Sequence, residues 1–201
     1  MSVGSPNRFG ATAATYIADV LDAIEERGGV AVLAAYVLGS GALGSFDPER
    51  SDIDLVVVVD GPLGENRAPV VDAVGRLGRP GRALELVVYV RGAQPPDFEL
   101  NLVVDDEGAH ERPDEPSHWF VIDAVIGQER ARPFGDADPP WSAFFDPIRP
   151  EQLRDALRAS IAWSERQPPA DEFARLNLIR SRHKLEHDEW ISKSQAREAA
   201  S

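Results

Sequence analysis

Three acidic residues stand where strands would more simply carry valine or isoleucine. Asp52 and Asp54 flank Ile53 at the start of "IDLVVVV", and Glu85 sits inside "ALELVVYV". Residues i and i+2 of a strand share a face, so Asp52 and Asp54 project side by side while Ile53 faces the opposite layer. Two carboxylates that close repel each other in a partly buried place. A hard divalent cation such as Mg²⁺ relieves the conflict, taking carboxylate oxygens together with substrate phosphates. If the strand carrying Glu85 lies beside the first, all three carboxylates converge. Upstream, Gly39 and Ser40 close the apolar run "VAVLAAYVL". The glycine allows close backbone approach to a ligand, and free N–H groups at the start of a short helix, with the Ser40 hydroxyl, would bind an anion. A phosphate held beside a carboxylate-bound metal is the apparatus of phosphoryl or nucleotidyl transfer. Taken singly, Gly-Ser is an ordinary turn and D-x-D an ordinary solvated strand start. Their order, with a third acidic residue in the next strand, predicts a nucleoside triphosphate site.

The elements that must position these residues follow from periodicity. Over 12–27, Tyr16, Ile17, Val20, Leu21 and Ile24 share a helical face, and Gly28-Gly29 ends the pattern. Strands are predicted over 30–38, 53–59 and 83–90, a short helix over "ALGSF" (42–46), and a helix over "APVVDAVGRL" (68–77). This alternation describes a small α/β layer. From Asp97 to His118 there are eight carboxylates and one Arg, which predicts a solvated connection with a short strand at "FELNLVV". Beyond a Pro-rich stretch at 131–141 the chain becomes helical. Pro150 suits a first helical turn, Asp171 an N-cap, and Ser192 with Gln195 a capping box. The expected organisation is an α/β head over 1–147 and a shortened helical domain over 148–201.

Composition narrows the partners. With 34 acidic and 21 basic residues the net charge is -13, which repels nucleic acid phosphates and favours either solubility or a polycationic small molecule. No apolar run approaches the ~20 residues of a membrane span, and the first ten residues lack the order of a signal peptide, so a cytoplasmic protein is expected. The absence of cysteine excludes disulfides, thiolate metal sites and a Cys nucleophile. "HKLEH" (183–187) matches the H-x-x-E-H string of a zinc peptidase class, but that class needs a ligand well downstream, and a solvent-facing helix surface is the better reading.

The head resembles the nucleotidyltransferases of the DNA polymerase β superfamily, whose signature is the Gly-Ser turn, the D-x-D strand and the third acidic strand residue. The order of "ALELVVYV", "FELNL", "FFDPIRPEQLRDAL", "LNLIR" and "WISKSQA" is similar to the aminoglycoside 3″-type (streptomycin/spectinomycin) adenylyltransferases. That resemblance implies a mixed-sheet α/β (α+β) head followed by helices, with ATP as co-substrate and Mg²⁺ as cofactor. It assigns Gly39 and Ser40 to the triphosphate, Asp52 and Asp54 to Mg²⁺, and to Glu85 both metal contact and proton acceptance from the attacking hydroxyl. It also assigns Arg180 and Lys193 to the ATP phosphates, and Asp171 or Glu172 to the antibiotic. The family's substrate-stacking Trp has no counterpart in sequence order, leaving Trp119 as its candidate. The implied activity is transfer of AMP to a hydroxyl of an aminoglycoside, an antibiotic-resistance chemistry. A protein side chain as acceptor, or a nucleotide-binding module without turnover, are the alternatives.

Overall fold

The computed structural model describes residues 11–39, 51–135 and 137–200. Ser40 and the short helix expected over 42–46 lie outside the described residues. Helix α1 (Ala11–Gly28) buries Tyr16, Ile17, Val20, Leu21 and Ile24, the face its periodicity predicts, and Gly29 at φ +65° ends it. Then come β1 (Val32–Val37), β2 (Ile53–Val59), α2 (Arg67–Gly75), β3 (Leu84–Val90), β4 (Leu100–Asp105) and β5 (Gly108–Glu111). Helix α3 (Ser117–Arg130) and the two-residue β6 (Arg132–Pro133) precede α4 (Pro150–Glu165), α5 (Glu172–His187) and α6 (Lys193–Ala199). The fold is a mixed α/β arrangement of a six-stranded sheet, in the order β5-β4-β3-β2-β1-β6, with helices. Among the described residues, β2 and β3 are the one parallel pair.

The chain divides into two compact units, one of Met1–Glu115 with Ile126–Asp146, the other of Pro116–Val125 with Pro147–Ser201. In the sheet unit, period-2 alternation sends Ile53, Leu55, Val57 and Val59 of β2 into the same core as Leu84, Leu86 and Val88 of β3 and Leu100, Leu102 and Val104 of β4. Helices α1 and α2 close this core through Ile24, Val70 and Val74, all fully buried. Burying such side chains contributes about 1.5–3 kcal/mol each, and this is the platform on which the opposite face can carry charge.

One expectation is corrected in part. The short strand expected at "FELNLVV" forms as β4, but the acidic stretch around it is not a solvated connection: β4 is buried on both faces, and β5 returns antiparallel to it from Asp105 opposite Gly108. Its charges sit at the turn and margins, where Glu111 pairs with Arg67 at 2.6 Å and Asp106 with Arg79 at 2.6 Å. The stretch 117–130, to which periodicity assigned no element, forms α3, burying His118, Phe120, Ile122, Ala124 and Val125.

In the helical unit, Pro150 occupies the first turn of α4, and the Asp171 carboxylate accepts from Ala174 N at 3.0 Å as the N-cap of α5. Ser192 and Gln195 form the expected capping box of α6. Helices α4 and α5 share a buried hydroxyl pair, Ser160 and Ser181, at 2.9 Å. The "HKLEH" segment is only partly solvent-facing. His187 is exposed and His183 half-buried, but Lys184 is buried, its Nζ donating to Asp188 O at 3.1 Å and lying 5.1 Å from the Trp190 ring centroid.

Candidate active site

The N-terminal mouth of the parallel pair β2/β3 is where the acidic residues gather. Ile53 and Leu84 point into the core, with 3% and 0% exposure, so their successors Asp54 and Glu85 take the other face. The register places Asp54 directly opposite Glu85, one strand spacing of about 4.8 Å away. Ile53 N donates to Ala83 O at 2.8 Å, locking that register at its first rung. On the other side, Leu38 N donates to Asp54 O at 2.9 Å, which draws the end of β1 against the same mouth.

Gly39 follows in the left-handed region at φ +56°, and a Cβ built there would collide with Asp54 Oδ2. Backbone geometry and contact both require glycine at this position. The Gly39 backbone thus passes immediately over the Asp54 carboxylate. Asp54 is half-buried and Glu85 exposed.

Asp52 is paired with an arginine. Its carboxylate, 10% exposed, accepts both arms of a guanidinium fork, Arg82 Nε at 3.0 Å and Nη2 at 2.9 Å. The hydrogen bond to Asp52 and then its charge raise the Arg82 pKa, with Glu85 adding to the field. Among the described residues no three His, Cys, Asp or Glu side chains are gathered as a formed metal centre. The register thus sets Asp54 beside Glu85, while Asp52 is engaged by a cation of the protein's own. The donor set still fits a hard divalent ion, being carboxylate oxygens on a rigid strand mouth. Arg82 was not singled out by sequence reading. The available signal was an Arg three residues before the anomalous Glu85, at the point where negative charge accumulates.

The other expected residues belong to the helical unit. Asp171 caps α5, and Glu172 accepts from Arg197 Nε at 2.8 Å, a bond that lowers its pKa ahead of the charge of Arg197 itself. Arg180, half-buried, donates from Nε to Ile191 O at 3.1 Å, and so fastens α5 to the segment that launches α6 at the exposed Lys193. Beside the start of α5 lies an aromatic group that sequence reading saw only in part. Trp119 meets Trp163 edge-on with centroids 5.5 Å apart and Phe173 at 6.0 Å, and Phe173 is 52% exposed. His118 is buried next to Trp119, its Nε2 without a hydrogen-bond partner among the described residues. Burial, and secondarily the Arg166 charge, push its pKa below the usual range.

Comparison with known proteins is consistent with this geometry. Residues 17–104 match the family described as "Nucleotidyltransferase domain", a span that holds Gly39, Asp52, Asp54, Arg82 and Glu85. The crystal structure of spectinomycin adenyltransferase AAD(9) from Enterococcus faecialis with ATP and spectinomycin is similar in fold, with a TM-score of 0.70 at 17% identity over 94% of this chain and 82% of that one. No curated protein sequence matches the chain. The matched domain, carried on this fold, supports an enzyme of the nucleotidyltransferase type.

Proposed function

We propose that the protein transfers AMP from ATP to a hydroxyl of a cationic small molecule, with an aminoglycoside as acceptor. The observation that carries the reading is the Asp54–Glu85 register pair beneath the Gly39 turn. In this reading the Gly39-Ser40 turn binds the triphosphate, and Asp52, Asp54 and Glu85 would hold Mg²⁺. The metal, when bound, supplies charge neutralisation at the phosphates. Glu85 accepts the proton of the acceptor hydroxyl, whose oxygen forms a bond to the α-phosphorus as the bond to the bridging oxygen breaks and pyrophosphate leaves. Arg180 and Lys193 keep the phosphate-binding roles that the family resemblance implies.

Acceptor recognition falls to Asp171 and Glu172, with the faces of Trp119, Trp163 and Phe173 as further candidates. Carboxylates and aromatic faces both attract ammonium groups. The AAD(9) structure, which holds ATP and spectinomycin, supports the same pairing of nucleotide and aminoglycoside here. An ATP-dependent reaction favours a cytoplasmic location in this reading; separately, among the described residues no helix is long and apolar enough to cross a membrane. Calorimetry with ATP and Mg²⁺, followed by a pyrophosphate-release assay over an aminoglycoside panel, tests the proposal. Release that requires both ATP and one of the aminoglycosides is expected. Nucleotide binding with no release for any acceptor would leave only a binding module.

A further inference from the structure

The bond between Arg82 and Asp52 is asymmetric in a way that bears on how the metal arrives. Asp52 is 10% exposed, so its charge needs a partner; the Arg82 side chain is 66% exposed, so it returns to water at little cost. The backbone beneath the pair is fixed. Arg82 N donates to Ser51 O at 3.0 Å and Ile53 N to Ala83 O at 2.8 Å, which ties the two strand mouths on either side of the ion pair. The exposed guanidinium end of Arg82 can turn to water without disturbing these backbone bonds. It also sits within the field of Glu85, so one protein cation serves a place where carboxylates from two strands accumulate.

From this geometry we infer that Arg82 is an exchangeable counter-cation: it neutralises Asp52 in the metal-free protein and is displaced from that carboxylate when a divalent ion binds. The inference rests on the nucleotidyl-transfer reading, in which Asp52 is a metal ligand. Metal binding is then an exchange of one cation for another. Asp52 is then never left without a cation, and the guanidinium, once released, is available to phosphate oxygens.

The test uses the full-length protein with Arg82→Gln, with Arg82→Lys as a second variant that keeps the charge but loses the fork. Mn²⁺ binding is measured without nucleotide by electron paramagnetic resonance, and thermal unfolding is measured in chelator and in saturating Mg²⁺. Loss of the competitor should tighten Mn²⁺ binding by Arg82→Gln about five- to tenfold, with Arg82→Lys intermediate. In chelator Arg82→Gln should melt below wild type, and saturating Mg²⁺ should close that gap. Unchanged or weaker Mn²⁺ binding by the variants, or a melting gap that Mg²⁺ leaves open, would show Arg82 to be a structural partner of Asp52 and overturn the inference alone. Failure of wild type and variants alike to bind Mn²⁺, with ATP present as well, would remove the metal reading and this inference together. If Arg82→Gln does not fold, the Mn²⁺ affinity of Arg82→Lys relative to wild type decides by the same criterion.

Discussion

At the scale of single residues, Glu85 carries the sharpest test. It is the exposed member of β3, with buried Leu84 and Leu86 on either side, and it faces Asp54 across the parallel ladder. Glu85→Gln keeps the side chain's size and leaves the buried face of the strand untouched, yet the amide cannot accept a proton. General-base loss typically costs ~10²- to 10⁴-fold in rate. The variant should therefore bind ATP and acceptor within a few-fold of wild type, by calorimetry, while losing nearly all pyrophosphate release. Transfer at close to the wild-type rate would assign the proton to another group. The face that Glu85 takes was readable beforehand because side-chain alternation is a strict consequence of strand geometry: an acid flanked by buried apolar neighbours must face the other way, whereas its place opposite Asp54 depended on the two strands being neighbours. The Arg82 partner of Asp52 was not readable in the same manner. Which cation meets a carboxylate depends on strand adjacency and on where a side chain turns, and neither is written in local periodicity.

At the scale of elements, legibility followed the cleanness of the pattern. Helix α1 and strands β1 to β3 announce themselves through undiluted apolar periodicity, and the caps at Asp171 and Ser192 through local side-chain chemistry. Strand β4 was legible in "FELNLVV", but its return partner β5 was obscured by carboxylates whose partners, such as Arg67 and Arg79, lie elsewhere in the chain. Helix α3 was obscured because Trp, Phe, Val and Ile, all modest helix formers, fill its first turns, so tertiary burial decides its conformation. That burial has a pH consequence through His118. Its pKa is depressed in the folded state, by burial first and Arg166 second, so below the ordinary His range the unfolded chain binds a proton that the folded one refuses. Its contribution to stability is present above the unfolded pKa of about 6.5 and falls away as pH drops through that value toward the lower folded pKa. His118→Gln cannot take up that proton. The difference in melting temperature between wild type and this variant should therefore shift against wild type as pH is lowered from 7.5 to 5.5. Melting curves that stay parallel across this range would mean that His118 is hydrated or already paired.

For the whole molecule, the governing quantity is the net charge of -13. Charge of this size acts beyond any contact. At ~0.01 M salt the screening length is about 30 Å, and at 0.15 M about 8 Å, so the same protein presents a long-range attraction for polycations in one buffer and almost none in the other. ATP·Mg²⁺, itself negative, meets the opposite sign. The two co-substrates should consequently respond to salt in different directions, a behaviour that local site chemistry alone would not produce. Between about 20 and 200 mM KCl, the KM for an aminoglycoside should rise by roughly one order of magnitude, because steered association is steeply dependent on ionic strength. The KM for ATP·Mg²⁺ should stay level or fall. An acceptor with fewer ammonium groups should show a proportionally shallower rise, which separates the field effect from a general loss of activity in salt. If aminoglycoside KM is flat over this range while activity is otherwise intact, acceptor recognition rests on short-range contacts, and the acidity of the chain serves solubility instead.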